Sequence, residues 1–474
     1  MTETVQLLPS LGQERLLFLQ ELTPNDTAYN IGIALSFEGP LDKRALFYAC
    51  KTLMRYHDSL RMTFSQLDGK PIATISPDVN IDINQIDCSK VSIGKGLKEI
   101  YEKFFKQEIS KVFNLEKGPL IRHTLLCFNP NLHILIMSCH HIIFDGWSMM
   151  VYLKELAANY QALIRHQSLS LTPVTHFYRD FIVEQRARMQ GVVQEELLEY
   201  WKHQLAYLEP LILPTDKPRT RESPNIKKYD FNFSTEFSQT LRQLSQEKGV
   251  TLYTILFSAF CSFLFRHSGQ EDFSIGVPMH GRNKGNLEDV IGFFINTLPI
   301  RVNLASNKRF ATLVEEVKVT MRGALMHQEV PLSHLITELK LSRDINRDPL
   351  FPVMFTMENF QPPSLDFNNL NVKMVGIEAG GIPCAISLEV HTYLEDFLGV
   401  FKYDANLFKK STIHRMVGHW LELLKGISQN YDQAISQLPL LTALERKQLL
   451  IDWNKTEKNT PKTKRFISCL KSKS

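Results

Sequence analysis

The chemistry-bearing residues of this chain concentrate in MSCHHIIFDGWSMM (137–150), where His140 and His141 stand side by side ahead of Asp145 and Gly146. Imidazole is the side chain whose unperturbed pKa lies nearest neutrality, so such a pair can ligate metal, move protons or serve structure. Asp-Gly is also a common turn, and a lone histidine is more often structural than catalytic. The context is sharper than that. The apolar run LHILIMSC delivers the pair to a strand end, where clustered polar groups are costly unless paired or used. If the strand persists through both histidines, their side chains leave opposite faces, and one metal could not take both. No HExxH or Cys/His spacing offers a further ligand nearby, so no metal is expected. One histidine facing a cavity as base, with the other packed behind it, is the more economical arrangement. Asp145 could pair with the reactive imidazole or shape the loop by pairing with a cation elsewhere. Gly146 allows close backbone approach, and its N–H could serve as an oxyanion donor.

The surrounding pattern must position these groups. SLGQ (10–13) has the form of a capping box, with an apolar-rich helix following through Leu22. AYNIGIALSFEG alternates as a strand, Leu46, Ala49 and Leu53 mark a helix, and LRMTF is the next strand. HTLLCFNPNLHILIMSC reads as two strands joined by an Asn-Pro-Asn turn. After the Asp-Gly pair, SMMVYLKELAANYQALI is a strong helix with Ser148 as its expected N-cap. The polar stretch 165–177 is the expected lobe boundary, and 213–225 a long irregular connection. Beyond it come strand YDFNF, helices 235–247 and 251–267, and strand FSIGVPM. The mixture implies an α/β or α+β chain.

Composition narrows the classes. At 474 residues two lobes are the prior. A formal charge of +4, with no basic cluster interleaved with aromatics, indicates neither nucleic-acid nor membrane binding. Seven scattered cysteines without CxxC spacing fit reduced thiols in the cytoplasm. The N-terminus lacks the form of a signal peptide, and the most apolar segment, 251–265, is too short to span a membrane.

HHxxxDG, here His140 to Gly146, resembles the signature of the condensation domains of nonribosomal peptide synthetases, in the chloramphenicol-acetyltransferase-like superfamily. SLGQERLLFLQEL, RYHDSLRMTF, YRDFIVEQ, IGFFINTLPIR, HQEVPLSHLI and RDPLFPVMFTMENF resemble further family motifs in order, over about residues 6–455. The resemblance implies two acetyltransferase-like lobes in a V with a central tunnel, divided as 1–175 and 176–455, followed by a basic, disordered tail at 456–474. It implies peptide-bond formation between thioesters held by donor and acceptor carrier proteins, whose phosphopantetheine arms enter the tunnel. No cofactor is bound directly, and an adenylation domain is the expected neighbour. By position His141 is similar to the catalytic histidine and His140 to the structural one. Asp145 would support the loop through a salt bridge to Arg282, and Gly146 would contribute to catalysis. Trp147, Ser148, Asn296 and Asn359 are candidate tunnel-lining residues.

Some features depart from the family. IPCAISLEV (382–390) stands where many members carry Phe-Asp-Leu, and the chain ends without an adenylation or carrier domain. An excised piece, a truncated product and a free-standing enzyme all fit that ending. A catalytically silent docking domain and an acyl-CoA-type transferase are the alternatives. YNI and RLLFLQEL lean toward L-configured donors.

Overall fold

The computed structural model describes residues 3–454, apart from 79–82, 91–96, 170–175, 220–223, 283, 340–350, 360–364, 379, 381–383 and 394. The expected tail at 456–474 therefore lies outside the described residues.

Two large sheets organise the chain. The first has the strand order Asn371–Glu378, Asn30–Glu38, Leu132–His140, Ile121–Asn129, Ile83–Asp87. Helices cover both of its faces. Lys43–Tyr56 and Gly146–Ile164 pack on one through Leu46, Leu53, Tyr152 and Leu156, and Leu97–Ile109 packs on the other against Ala34, Leu126 and Ile136. Burial on both sides explains why Asn30–Glu38 is buried at every position but the last, rather than alternating as the sequence suggested. The hairpin at 121–140 forms as expected, with a register shift between Cys127 and Asn129. A small sheet of Val5–Leu7, Lys70–Ile75 and Met62–Leu67 flanks this half.

The second sheet runs Asn296–Asn303, Asp272–Met279, Val353–Glu358, Ile386–His391, Leu398–Asp404, Ile226–Asn232. Its apolar face packs on Leu252–Ser268, a helix buried continuously from Thr254 to Phe265, and on helices Thr235–Lys248 and Lys410–Gln429. No single helix among the described residues is long and apolar enough to cross a membrane. IPCAISLEV enters this sheet as the strand Ile386–His391, its first residues lying outside the described set.

The halves interlock. Strand Asn371–Glu378 pairs antiparallel with Asn30–Glu38, more than 300 residues upstream, and so completes the first sheet. Tyr178, Ile182 and the loop residues Leu287 to Phe294 pack in the first core, whereas Leu11 packs in the second. The fold is mixed α/β, and its cores do not divide at one point in the chain.

Candidate active site

Strand Leu132–His140 ends at the first histidine, and a short 3₁₀ turn, His141–Ile143, begins at the second. The imidazoles still diverge. The His140 ring packs beside Tyr29 and Phe113 at 2% exposure, and its Nδ1 accepts the Ile142 N–H at 3.1 Å. Burial, then the neighbouring His141, pushes its pKa down to about 3, so it is neutral under all ordinary conditions. The half-buried His141 ring instead lies edge-on to Phe293 at 5.2 Å. Its Nδ1 lies 2.7 Å from the Phe144 carbonyl oxygen, an acceptor, so Nδ1 carries the proton and Nε2 holds the free lone pair. Burial lowers the His141 pKa against the opposing pull of Asp145 and the Phe144 carbonyl.

Asp145 does not touch either imidazole. It is the N-cap of helix Gly146–Ile164, accepting the Ser148 N–H at 2.7 Å, so the cap lies three residues before the expected Ser148. Its other partners are the Phe294 N–H at 3.2 Å and Arg282 Nη2 at 3.1 Å. Burial alone would raise the Asp145 carboxyl, but the guanidinium and these N–H groups outweigh it and hold the pKa below the usual range. Arg282, 4% exposed, also donates to the carbonyls of Leu287 and Val290 and lies 4.0 Å over the Phe294 ring. The approach depends on Gly281: its φ is +65°, and a Cβ there would sit 2.1 Å from the Phe294 oxygen.

A family model described as Condensation domain matches residues 3–450. The chain belongs to the condensation domains of nonribosomal peptide synthetases. It is 37% identical to one of the linear gramicidin synthase proteins of Brevibacillus parabrevis, over 96% of this chain but only 9% of that protein. With tyrocidine synthase 3 of the same organism the identity is 31%, over 94% of this chain and 7% of that protein. The chain thus spans about a tenth or less of the length of these relatives. It superposes on a holo four-domain nonribosomal peptide synthetase bound to AMP and glycine with a TM-score of 0.82 at 20% identity, covering 94% of this chain and 35% of that one. By class the condensation domain is an amide-bond-forming acyltransferase.

The remaining candidates fall in different places. Ser148 is fully buried. Its Oγ donates to the Gly292 carbonyl at 2.9 Å and accepts from the Gly292 N–H at 3.0 Å and Arg282 Nη2 at 3.0 Å, tying the first turn of the Asp145-capped helix to the Gly292 loop. Trp147 donates to the Glu288 carbonyl at 2.8 Å. Gly146, exposed at the first helical position, has open space around it. Asn296 lines a cavity with Gly12, Arg15, Phe293 and Gln328, and its amide donates to the Gln328 and Val330 carbonyls at 2.8 and 2.6 Å. Asn359 is exposed just past the end of strand Val353–Glu358.

Two clamps escaped the sequence reading. Gln13 completes the capping box of helix Leu11–Leu22, as the motif predicted, and its Nε2 also donates to the Ile142 carbonyl at 2.8 Å. Tyr178 OH donates to the Phe293 carbonyl at 2.6 Å and meets Ser10 Oγ at 3.1 Å, while the Tyr178 N–H reaches Asp58 at 3.2 Å. Thus SLGQ, RYHDSL and YRDF, separate in sequence, converge behind the His141 turn. The four polar residues Ser10, Gln13, Asp58 and Tyr178 within those segments were the available signal; only the fold brings them together.

Proposed function

We propose that His141 is the working residue of this condensation domain. Its neutral Nε2 receives the acceptor α-amine, taking its proton or holding it in line, as the nitrogen attacks the donor thioester carbonyl. The C–N bond forms, the C–S bond breaks, the thiolate departs on the donor carrier, and the lengthened chain stays on the acceptor carrier. An α-amine with a pKa of about 7.7–8.0 is partly neutral already, and the thioester is activated, so no serine or cysteine nucleophile is needed. The observation that carries this reading is the Nδ1–Phe144 contact at 2.7 Å, which dedicates Nε2 to substrate.

In the same proposal the Gly146 N–H, unpaired at a helix start, supports the oxyanion. Asp145, His140 and Arg282 hold the loop, and Trp147, Asn296 and Asn359 border the path of the carriers' phosphopantetheine arms. A lobe boundary at residue 175 with later segments crossing back to the first lobe, carrier and adenylation partners, a preference for L-donors and a cytoplasmic location complete the proposal. The test loads two carrier proteins with defined L- or D-donor and L-acceptor aminoacyl groups and seeks dipeptidyl product by mass spectrometry. Product with wild type and its loss in His141→Ala supports the reading; undiminished product in the variant refutes it.

A further inference from the structure

The cysteines of this chain differ in what surrounds them. Cys50, Cys88, Cys139, Cys261 and Cys384 are buried, and Cys127 alone among the described cysteines is half-exposed. Burial pushes the Cys50, Cys139 and Cys261 thiols up, away from the thiolate form that reacts. Cys127 lies near the end of strand Ile121–Asn129, on the face of the first sheet that helix Lys43–Tyr56 covers. Lys43, the first residue of that helix, donates from Nζ to Cys127 Sγ at 3.3 Å. An ammonium beside the sulfur favours the thiolate, and both side chains are open in part to solvent.

A third group joins them. His133 stands directly opposite Cys127 in the antiparallel register, so the two side chains leave the same face as neighbours. The His133 ring is 1% exposed, and its Nδ1 is covered yet has no hydrogen-bond partner among the described residues. Burial, then the nearby charge of Lys43, lowers its pKa, so the imidazole is neutral and the lysine sits close to it as well. A covered ring nitrogen without a partner is costly, and a hydroxyl carried on the neighbouring sulfur can remove that cost. Cys88, beside Cys127 in the sheet, packs with Leu126 and Phe128 on the opposite face, so the amine and not that thiol is placed to meet the sulfur.

We propose that Cys127 and Lys43 form a peroxide-responsive modification site in which the lysine amine captures the oxidised sulfur. The Cys127 thiolate attacks one oxygen of hydrogen peroxide: the S–O bond forms, the O–O bond breaks, and hydroxide leaves and takes up a proton as water. Sulfur gives up two electrons and the peroxide receives them. The resulting sulfenic hydroxyl lies on the His133 side of the strand pair. Lys43 gives its ammonium proton to solvent, and its nitrogen attacks the sulfur. The S–N bond forms, the S–O bond breaks, and the departing hydroxide takes the second amine proton as water. Thiol, amine and peroxide thus yield one S–N bridge and two waters. The flexible lysine stem closes the remaining distance, and the bridge staples the start of helix Lys43–Tyr56 to the first sheet.

The test treats the full chain with hydrogen peroxide, digests it without reductant and reads the peptides by mass spectrometry, with thermal unfolding in parallel. Wild type should give a joined pair of peptides containing Lys43 and Cys127, lighter by two hydrogens than their sum and separated again by dithiothreitol. Its unfolding midpoint should shift upward on oxidation, since the bridge restricts the unfolded chain. Lys43→Arg keeps the positive charge but has no primary amine. That variant should stop at sulfenic acid on Cys127, trapped by dimedone, with no bridge and no shift. Cys127→Ser should show neither product. Oxidation of the buried cysteines with Cys127 left reduced, oxidation of Cys127 in wild type without a link to Lys43, or a midpoint shift that survives in Lys43→Arg would each overturn the proposal.

Discussion

Asp145 and Glu358 are both covered carboxylates near a cation, one under the HHxxxDG turn and one at the end of a strand of the second sheet. Asp145 has its oxygens taken by Ser148, Phe294 and Arg282, and its pKa is depressed. Glu358 keeps one oxygen without a hydrogen-bond partner among the described residues, and burial and the neighbouring Glu389 raise its pKa to about 7 against the pull of Lys402. Burial is common to both. What separates a scaffold from an available group is whether the lone pairs are already occupied. The histidines repeat the lesson on a smaller scale: His140 is enclosed by aromatic rings, while His141 has one nitrogen committed to Phe144 and one left over.

Several measurements could break this contrast. Replacing the available group by His141→Ala should lower dipeptide formation by about 10²–10⁴-fold with the protein still folded; retained turnover would remove His141 from catalysis. Turnover of wild type should rise with pH through a value below 6.5, as His141 loses its proton, and again as the acceptor α-amine loses its own at about 7.7–8.0. Replacing the committed group by Asp145→Ala should instead cost about 3–5 kcal/mol of stability in urea unfolding, since Arg282 is left buried without its anion. Adding Arg282→Met should restore part of that loss, and no restoration would mean that the pair is not what supports the loop. Gln13→Ala, which frees the Ile142 carbonyl, should cost about 1–3 kcal/mol and reduce turnover through the displaced His141 turn.

The pH dependence of stability should be the subtlest readout. His140 falls from 6.5 to about 3 on folding, so between these values the unfolded chain binds the extra proton. Its contribution is therefore lost as pH falls through that window, and His140→Gln should flatten the slope there. Glu358 runs the other way. Its pKa rises from 4.5 to about 7, so its contribution is complete below 4.5 and lost as pH climbs through 7. Glu358→Gln should remove that decline, measured as the unfolding midpoint at pH 5 and pH 8; an unchanged pH profile would place Glu358 among ordinary solvated carboxylates.

Local information was legible in the sequence wherever neighbours along the chain decide the outcome. The Ser10–Gln13 capping box, the 121–140 hairpin and the buried 252–268 helix follow from periodicity and turn chemistry, whereas His140 and His141 diverge because the strand stops between them. The pairing of Asp145 with Arg282 was reachable through resemblance alone, because nothing local links positions 137 residues apart. Ser148 was misread as the cap, since a serine near a helix start looks the same whether Asp145 or Ser148 caps it. Tertiary structure alone decided that strand Asn371–Glu378 would complete the first sheet, that Gln13 would hold the Ile142 carbonyl and Tyr178 the Phe293 carbonyl, and that Glu358 Oε2 would have no hydrogen-bond partner among the described residues. Each depends on which distant segments meet, and side-chain chemistry along one segment does not specify the occupant of the space across from it.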